Sequence, residues 1–208
     1  LTGGNHHAAD LAQAIDAAFW QGDHYASFRN TTLDGSPAAR RDLLATSFAI
    51  LDLGTHPEAL ESYPFAQGGP PVVHPQQQNT PIYHNRGAWP FVTAYGVLAA
   101  RAADNGAAFD AGIDSLVRGA ALNLSHMENL EFVTGDNWVE EGDTSGPVVN
   151  SQRQLWSVAG FLGAVASGVF GMQGEGGVVR FDPVVPAGAW FTDEATLYIG
   201  EDVVPIGQ

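Results

Sequence analysis

The lengths of the connections between helical segments constrain this chain more than any other feature. Apolar spacing marks five helices. The first carries Ala8, Leu11, Ala12, Ile15, Ala18 and Phe19 at the helical period. The second opens at Ser36-Pro37, a cap followed by proline at the first helical position, and ends at Gly54. A short helix from Pro57 to Tyr63 follows. The third long helix is expected from Gly87 to Asp104, and the fourth shows Phe109, Ile113, Leu116, Val117, Ala120 and Leu124 on one face. The fifth opens with Ser151-Gln152-Arg153-Gln154, a capping-box spacing, and runs apolar through Phe170, which predicts burial on all sides. The loops near 21–36, 64–86 and 125–150 are long, whereas those near 54–56 and 105–106 are very short. Tight turns make antiparallel neighbours, so alternating helices would gather all three long loops at one end. Long loops in a compact domain are usually functional. The predicted fold is therefore all-α, built from antiparallel helical hairpins, with one elaborated end. Val178–Val185 and Ala195–Val204 read as short strands, giving a β tail over 178–208 beside a helical unit over 1–177.

Charge and composition exclude several classes. The net charge is -15, and all eight basic residues are arginine. Such a surface repels phosphate backbones and anionic lipid, so no nucleic-acid or membrane partner is expected. The acidity itself fits a high-salt or extracellular habitat, and a periplasmic or extracellular location is favoured. There is no cysteine, hence no disulfide and no thiolate metal site. No stretch is long and apolar enough to span a membrane. The chain begins at Leu1 rather than methionine, and the expectation is a fragment or a cleaved product.

Two segments could carry chemistry. Pro81-Ile82-Tyr83-His84-Asn85-Arg86-Gly87-Ala88-Trp89-Pro90 is the densest polar–aromatic cluster, at the point where a long loop enters a helix. Tyr and Trp faces suit the apolar faces of sugar rings, and His, Asn and Arg supply hydrogen bonds to hydroxyls. A loop that only caps its helix is the plainer alternative. The second segment, Ser125–Asn150, holds Glu128, Glu131, Asp136, Glu140, Glu141 and Asp143, with Trp138 among them. Glycoside hydrolysis needs two carboxyl groups across the scissile bond, and this loop could supply one. Most of the six are expected to be solvated, and the spacing fits no EF-hand calcium loop. Neither a metal nor a cofactor is expected. The isolated histidines have no zinc-helix spacing, and Gln173–Gly177 follows a helix and precedes a strand, the reverse of a phosphate loop. It reads as a turn. No Gly-x-Ser-x-Gly elbow suggests an acyl hydrolase.

Three motifs in order carry a family resemblance. Tyr83-His84-Asn85-Arg86-Gly87-Ala88-Trp89-Pro90 resembles the Tyr-His-Asn-x-x-x-Trp-Pro motif of six-hairpin glycosidases, notably the glycogen-debranching-like members. Glu128-Asn129-Leu130-Glu131-Phe132-Val133-Thr134-Gly135 resembles the Glu-Asn-Tyr-Asp-Pro-x-Thr-Gly loop of the trehalase and processing α-glucosidase families. Gln154-Leu155-Trp156-Ser157-Val158-Ala159-Gly160 is similar to the Gln-x-Trp-Ser opening of the last barrel helix in that clan, and Val178–Pro186 to the strand that leaves the barrel.

The resemblance covers roughly Leu11 to Pro186. It implies the C-terminal half of an (α/α)6 toroid, whose missing N-terminal half would be its partner, and a glycoside hydrolase inverting at an α-linked sugar. The general acid would lie upstream. Tyr83, His84, Asn85, Arg86, Trp89, Gln154 and Trp156 would line the carbohydrate pocket. The general base falls by motif on Glu128, whose neighbours Met127 and Leu130 should partly desolvate it. Counting back from Trp156 points instead to Glu141 or Glu140. A glycoside phosphorylase of a related toroid and a non-catalytic carbohydrate-binding protein remain alternatives; the single arginine beside the acidic loop disfavours phosphate binding.

Overall fold

The computed structural model describes residues 3–31, 34–187, 195–199 and 202–206. Within these the chain is mainly helical, with α-helices α1 (Gly3–Phe19), α2 (Leu43–Phe48), α3 (Pro90–Ala102), α4 (Gly106–Asn123) and α5 (Leu155–Gly163). Short antiparallel strand pairs join distant segments. β1 (Arg41–Asp42) pairs with β2 (Val73–His74), and β3 (Gly87–Ala88) with β4 (Leu130–Glu131).

α3 is the hub. It packs against α2, α4 and α5, and Val97, Ala99 and Ala100 on it are fully buried. Leu43, Leu60, Phe109 and Leu116 complete the core around it. α2 and α5 each run on into a π-helical turn, Ala49–Leu53 and Ala164–Val169, and the first of these stops at Gly54 in the left-handed region (φ +66). A 3₁₀ turn at Pro57–Leu60 is shorter than the helix expected to Tyr63. No helix among the described residues is long and apolar enough to cross a membrane.

Three expected helix starts move, each because a side chain or strand pair competes for the cap. Ser36 does not open α2. Its hydroxyl accepts from Asn30 and its amide donates to Asp34, a local turn that replaces capping, while Pro37 bridges to Arg29. Asp42 caps α2 instead, accepting from the Ala45 amide at 3.0 Å. α3 begins at Pro90 rather than Gly87, because Gly87 and Ala88 are held in β3 and a residue before proline is pushed to extended backbone. α5 begins at Leu155 because Ser151 exchanges backbone and side-chain hydrogen bonds with Glu128.

α5 is also not buried on all sides. Leu155, Leu162 and Trp156 are 81%, 61% and 45% exposed, since α3 covers only one of its faces. In the tail, Gln173–Glu175 (β5) is a strand rather than a turn. It pairs with β6 (Val178–Arg180) across Gly176-Gly177, both at positive φ, the backbone of a tight hairpin turn. This hairpin straddles the expected 177/178 boundary. The strand expected over Ala195–Val204 is a second hairpin, β7 (Ala195–Ile199) with β8 (Asp202–Ile206).

Candidate functional site

The β3–β4 pair brings the two chemistry-bearing segments together. Gly87 lies opposite Glu131, and Ala88 opposite Leu130. Only glycine fits at 87, where a Cβ would fall 1.8 Å from the Tyr83 carbonyl oxygen. Further along, the Val148 amide donates to the Ile82 carbonyl at 2.9 Å, closing the acidic loop against the same segment.

Glu128 is 5% exposed. Its Oε2 accepts from the Ser151 amide at 2.8 Å, and its Oε1 lies 3.4 Å from the Tyr83 hydroxyl. The first bond orients the carboxylate. The second is long for an O–H···O contact, so Oε1 retains accepting capacity. Burial and the Glu128 charge together raise the Tyr83 pKa, which keeps that hydroxyl protonated as a donor.

Glu141 and Glu140 are engaged differently. Arg86 donates from Nη1 and Nη2 to the two Glu141 oxygens, the second at 3.2 Å. That fork holds the Glu141 carboxyl below the ordinary carboxylate range and makes it a poorer proton acceptor. Arg86 Nη2 also lies 3.6 Å from Oε1 of fully buried Glu131. Glu140 accepts from Trp138 Nε1 at 3.0 Å, and its other oxygen lies 3.3 Å from Ser145 Oγ, which donates to the nearer Gly142 carbonyl at 2.8 Å.

The aromatic residues form a continuous row. His84 stacks on Trp89 (centroids 5.0 Å, planes 12° apart), Tyr83 lies 5.1 Å from Trp89, and Trp156 lies 6.2 Å from it. His84 and Trp156 therefore flank one residue, and Phe91 touches both tryptophans. His84, Trp89 and Phe91 line a groove of about 420 Å³, and Phe91 and Trp156 a second, more apolar one of about 390 Å³. Glu128 lines neither and meets the row through Tyr83.

Two residues expected to bind ligand have other work. The Asn85 amide is fully spent on backbone, accepting from Gln77 N and donating to the Gln77 and Thr80 carbonyls, so it braces the loop. Arg86 is committed to carboxylates. Gln154 caps α5 through its backbone, and its side-chain amide makes no hydrogen bond among the described residues.

Sequence reasoning left Glu131 without a role. Its Oε2 accepts from the amides of Val133 and Thr134 and from the Thr134 hydroxyl, which fixes the turn after β4. The signal was present in the spacing of Glu131 and Thr134, a carboxylate three residues before a hydroxyl. Among the described residues no group of three or more His, Asp or Glu side chains could hold a metal ion. No protein-family model matches the chain, and no significant match to a curated protein is found.

Proposed function

We propose that this chain is part of a glycoside hydrolase acting on an α-linked sugar with inversion, and that Glu128 is its general base. The observation that carries this reading is the contact between Tyr83 and Glu128, which joins the Tyr-His-Asn and Glu-Asn segments at one buried carboxylate. An inverting base takes a proton from water as the water attacks the anomeric carbon on the face opposite the leaving group. Glu128 suits that role because one oxygen is held by a backbone amide while the other stays available to water. Glu141 suits it less because Arg86 holds both of its oxygens, and Glu140 because it is exposed to solvent rather than buried. A second carboxyl, proposed to come from a segment upstream of these motifs, would protonate the leaving oxygen. The helices would form part of an (α/α) toroid, and the uncovered apolar face of α5 is compatible with further helices packing there. Phosphorolysis is less favoured, because Arg86, the only arginine in the segments Pro81–Pro90 and Ser125–Asn150, already serves two carboxylates.

The test is sugar release from α-linked oligosaccharides, with and without phosphate, by the full-length protein, including the upstream segment, and by its Glu128→Gln and Glu141→Gln variants. Loss of about 10²–10⁴-fold in Glu128→Gln, with the circular dichroism unchanged, is expected. Near-normal turnover in Glu128→Gln with loss in Glu141→Gln would move the base to Glu141. A requirement for phosphate would make the protein a phosphorylase, and sugar binding without turnover a carbohydrate-binding protein.

A further inference from the structure

We propose that Trp138 is a stacking platform for a second sugar ring, on a loop built to hold it beside the Glu128 site. The proposal rests on the carbohydrate reading above and adds to it a subsite outside the row formed by Tyr83, His84, Trp89 and Trp156. Trp138 is 50% exposed, and among the described residues no aromatic ring packs on it. Scattered exposed apolar residues are ordinary on proteins. This one differs in how its polar edge is fixed. The indole N–H donates to Glu140 Oε2 at 3.0 Å, while the other Glu140 oxygen lies 3.3 Å from Ser145 Oγ, whose proton goes to the Gly142 carbonyl at 2.8 Å.

The loop beneath the ring is fastened at every side. Val139 and Gly146 form a bridge with reciprocal backbone bonds of 2.6 and 3.1 Å. The Glu141 amide donates to Ser145 Oγ at 2.7 Å, and its carboxylate is clamped by Arg86. On the other flank Asn150 Nδ2 donates to the Asn137 carbonyl at 3.0 Å, while Asn150 Oδ1 accepts from the Asn129 amide at 3.3 Å. Asn129 follows Glu128 directly and Asn137 precedes Trp138 directly, so two side-chain hydrogen bonds connect the residue before the ring to the residue after the proposed base.

The consequence is a tryptophan whose only hydrogen-bonding atom is satisfied and whose ring is held at its polar edge with its face open to solvent. A ring held at its edge binds by apolar contact at a lower entropic cost than an untethered one. A pyranose offers a flat face of C–H groups to such a ring, with hydroxyls at its edge. The Glu140 carboxylate at the indole edge can accept from those hydroxyls. The class of ligand is therefore a pyranose unit of an oligosaccharide, beyond the unit cleaved next to Glu128. In this role Trp138 sets the preference for chain length and takes no part in bond breaking.

Calorimetric titration tests this. The full-length protein, including the upstream segment and carrying Glu128→Gln, is titrated with maltose, maltotriose and maltohexaose and with their α-1,6-linked counterparts. The expected result is that adding Trp138→Ala weakens the longer sugars of the bound series about tenfold more than the disaccharide, and that Trp138→Phe restores most of the loss. Equal binding of every length with and without Trp138 overturns the platform and leaves the hydrolase reading standing. A uniform loss at all lengths that Trp138→Phe does not repair also overturns it, because that is the mark of a structural defect. Binding of none of these sugars by the Glu128→Gln chain removes the carbohydrate reading and the platform with it.

Discussion

His56 shows how one residue can join three segments of this chain. It sits at a left-handed φ of 50° between Gly54 and the Pro57–Leu60 turn. Its ring stacks on Trp20 at 3.7 Å, its Nε2 lies 3.0 Å from Asp16 Oδ1 in α1, and its Nδ1 lies 2.9 Å from Glu58 Oε1. Tyr25 donates to the same Asp16 oxygen at 2.7 Å. Burial pulls the imidazole pKa down, but hydrogen bonds to Glu58 and Asp16 outweigh it and the net shift is upward from 6.5. Asp16 is lowered, chiefly by Tyr25, and Glu58 is lowered by His56. A raised histidine pKa gives stability that is complete below 6.5 and is lost as pH rises through the folded value; lowered carboxylates give stability that is lost in acid, below their ordinary values. The clasp should therefore be strongest between the two ranges, near pH 5–6. In thermal melts, His56→Gln should differ most from the parent there and converge with it above about pH 8. A difference that grows with pH would show that the charge on His56 is not what matters.

At the scale of elements, the approach of α5 to α3 depends on Gly160. A Cβ there would meet the Phe91 Cα at 3.0 Å and the Ala94 Cβ at 3.1 Å. Both helices would have to separate to admit a branched side chain, so Gly160→Val should cost about 1–3 kcal/mol. Gly163, one turn on, has nothing within 4 Å of a Cβ position. Gly163→Ala should instead stabilise by about 0.5–1 kcal/mol, because alanine loses less backbone freedom on entering a helix. Urea unfolding midpoints check the pair, and similar midpoints for both variants would contradict the close crossing. The same crossing explains why α5 misled the apolar pattern. An all-apolar segment states that water is unwelcome on every side, but only the neighbours decide which sides are covered. Here α3 covers one side and leaves Leu155 and Leu162 exposed.

Across the whole molecule the charge imbalance dominates. Twenty-three acidic residues face eight arginines. Among the described residues, three of those arginines, Arg41, Arg86 and Arg101, make ion pairs with carboxylates. Most carboxylates therefore repel one another over distances comparable to the Debye length, which shrinks from about 10 Å at 0.1 M salt to about 3 Å at 1 M. Raising sodium chloride across that range should stabilise the fold by on the order of 1 kcal/mol, or about 2–4 °C in Tm for a chain of this size. A Tm that falls with added chloride would mean that the few paired charges outweigh the repulsion.

The helices, the ends of several of them and the two segments rich in polar and aromatic residues were legible because each is written in local chemistry. Gly54 and Asn105 are such signals: one adopts the left-handed backbone that ends a helix, and the other's side chain accepts from the Ala108 amide to begin the next. The start of α5 was missed because the competing partner of Ser151, Glu128, lies twenty-three residues away, whereas Ser36 was lost to a local turn with Asn30 and Asp34. The roles of individual site residues were decided by tertiary structure alone. Asn85 and Arg86 are polar residues in a promising motif, and nothing local says that one is spent on the Gln77 and Thr80 backbone and the other on Glu141 and Glu131. Hydrogen-bonding capacity is a property of the residue, but what consumes it depends on which distant segment β3 and β4 bring alongside.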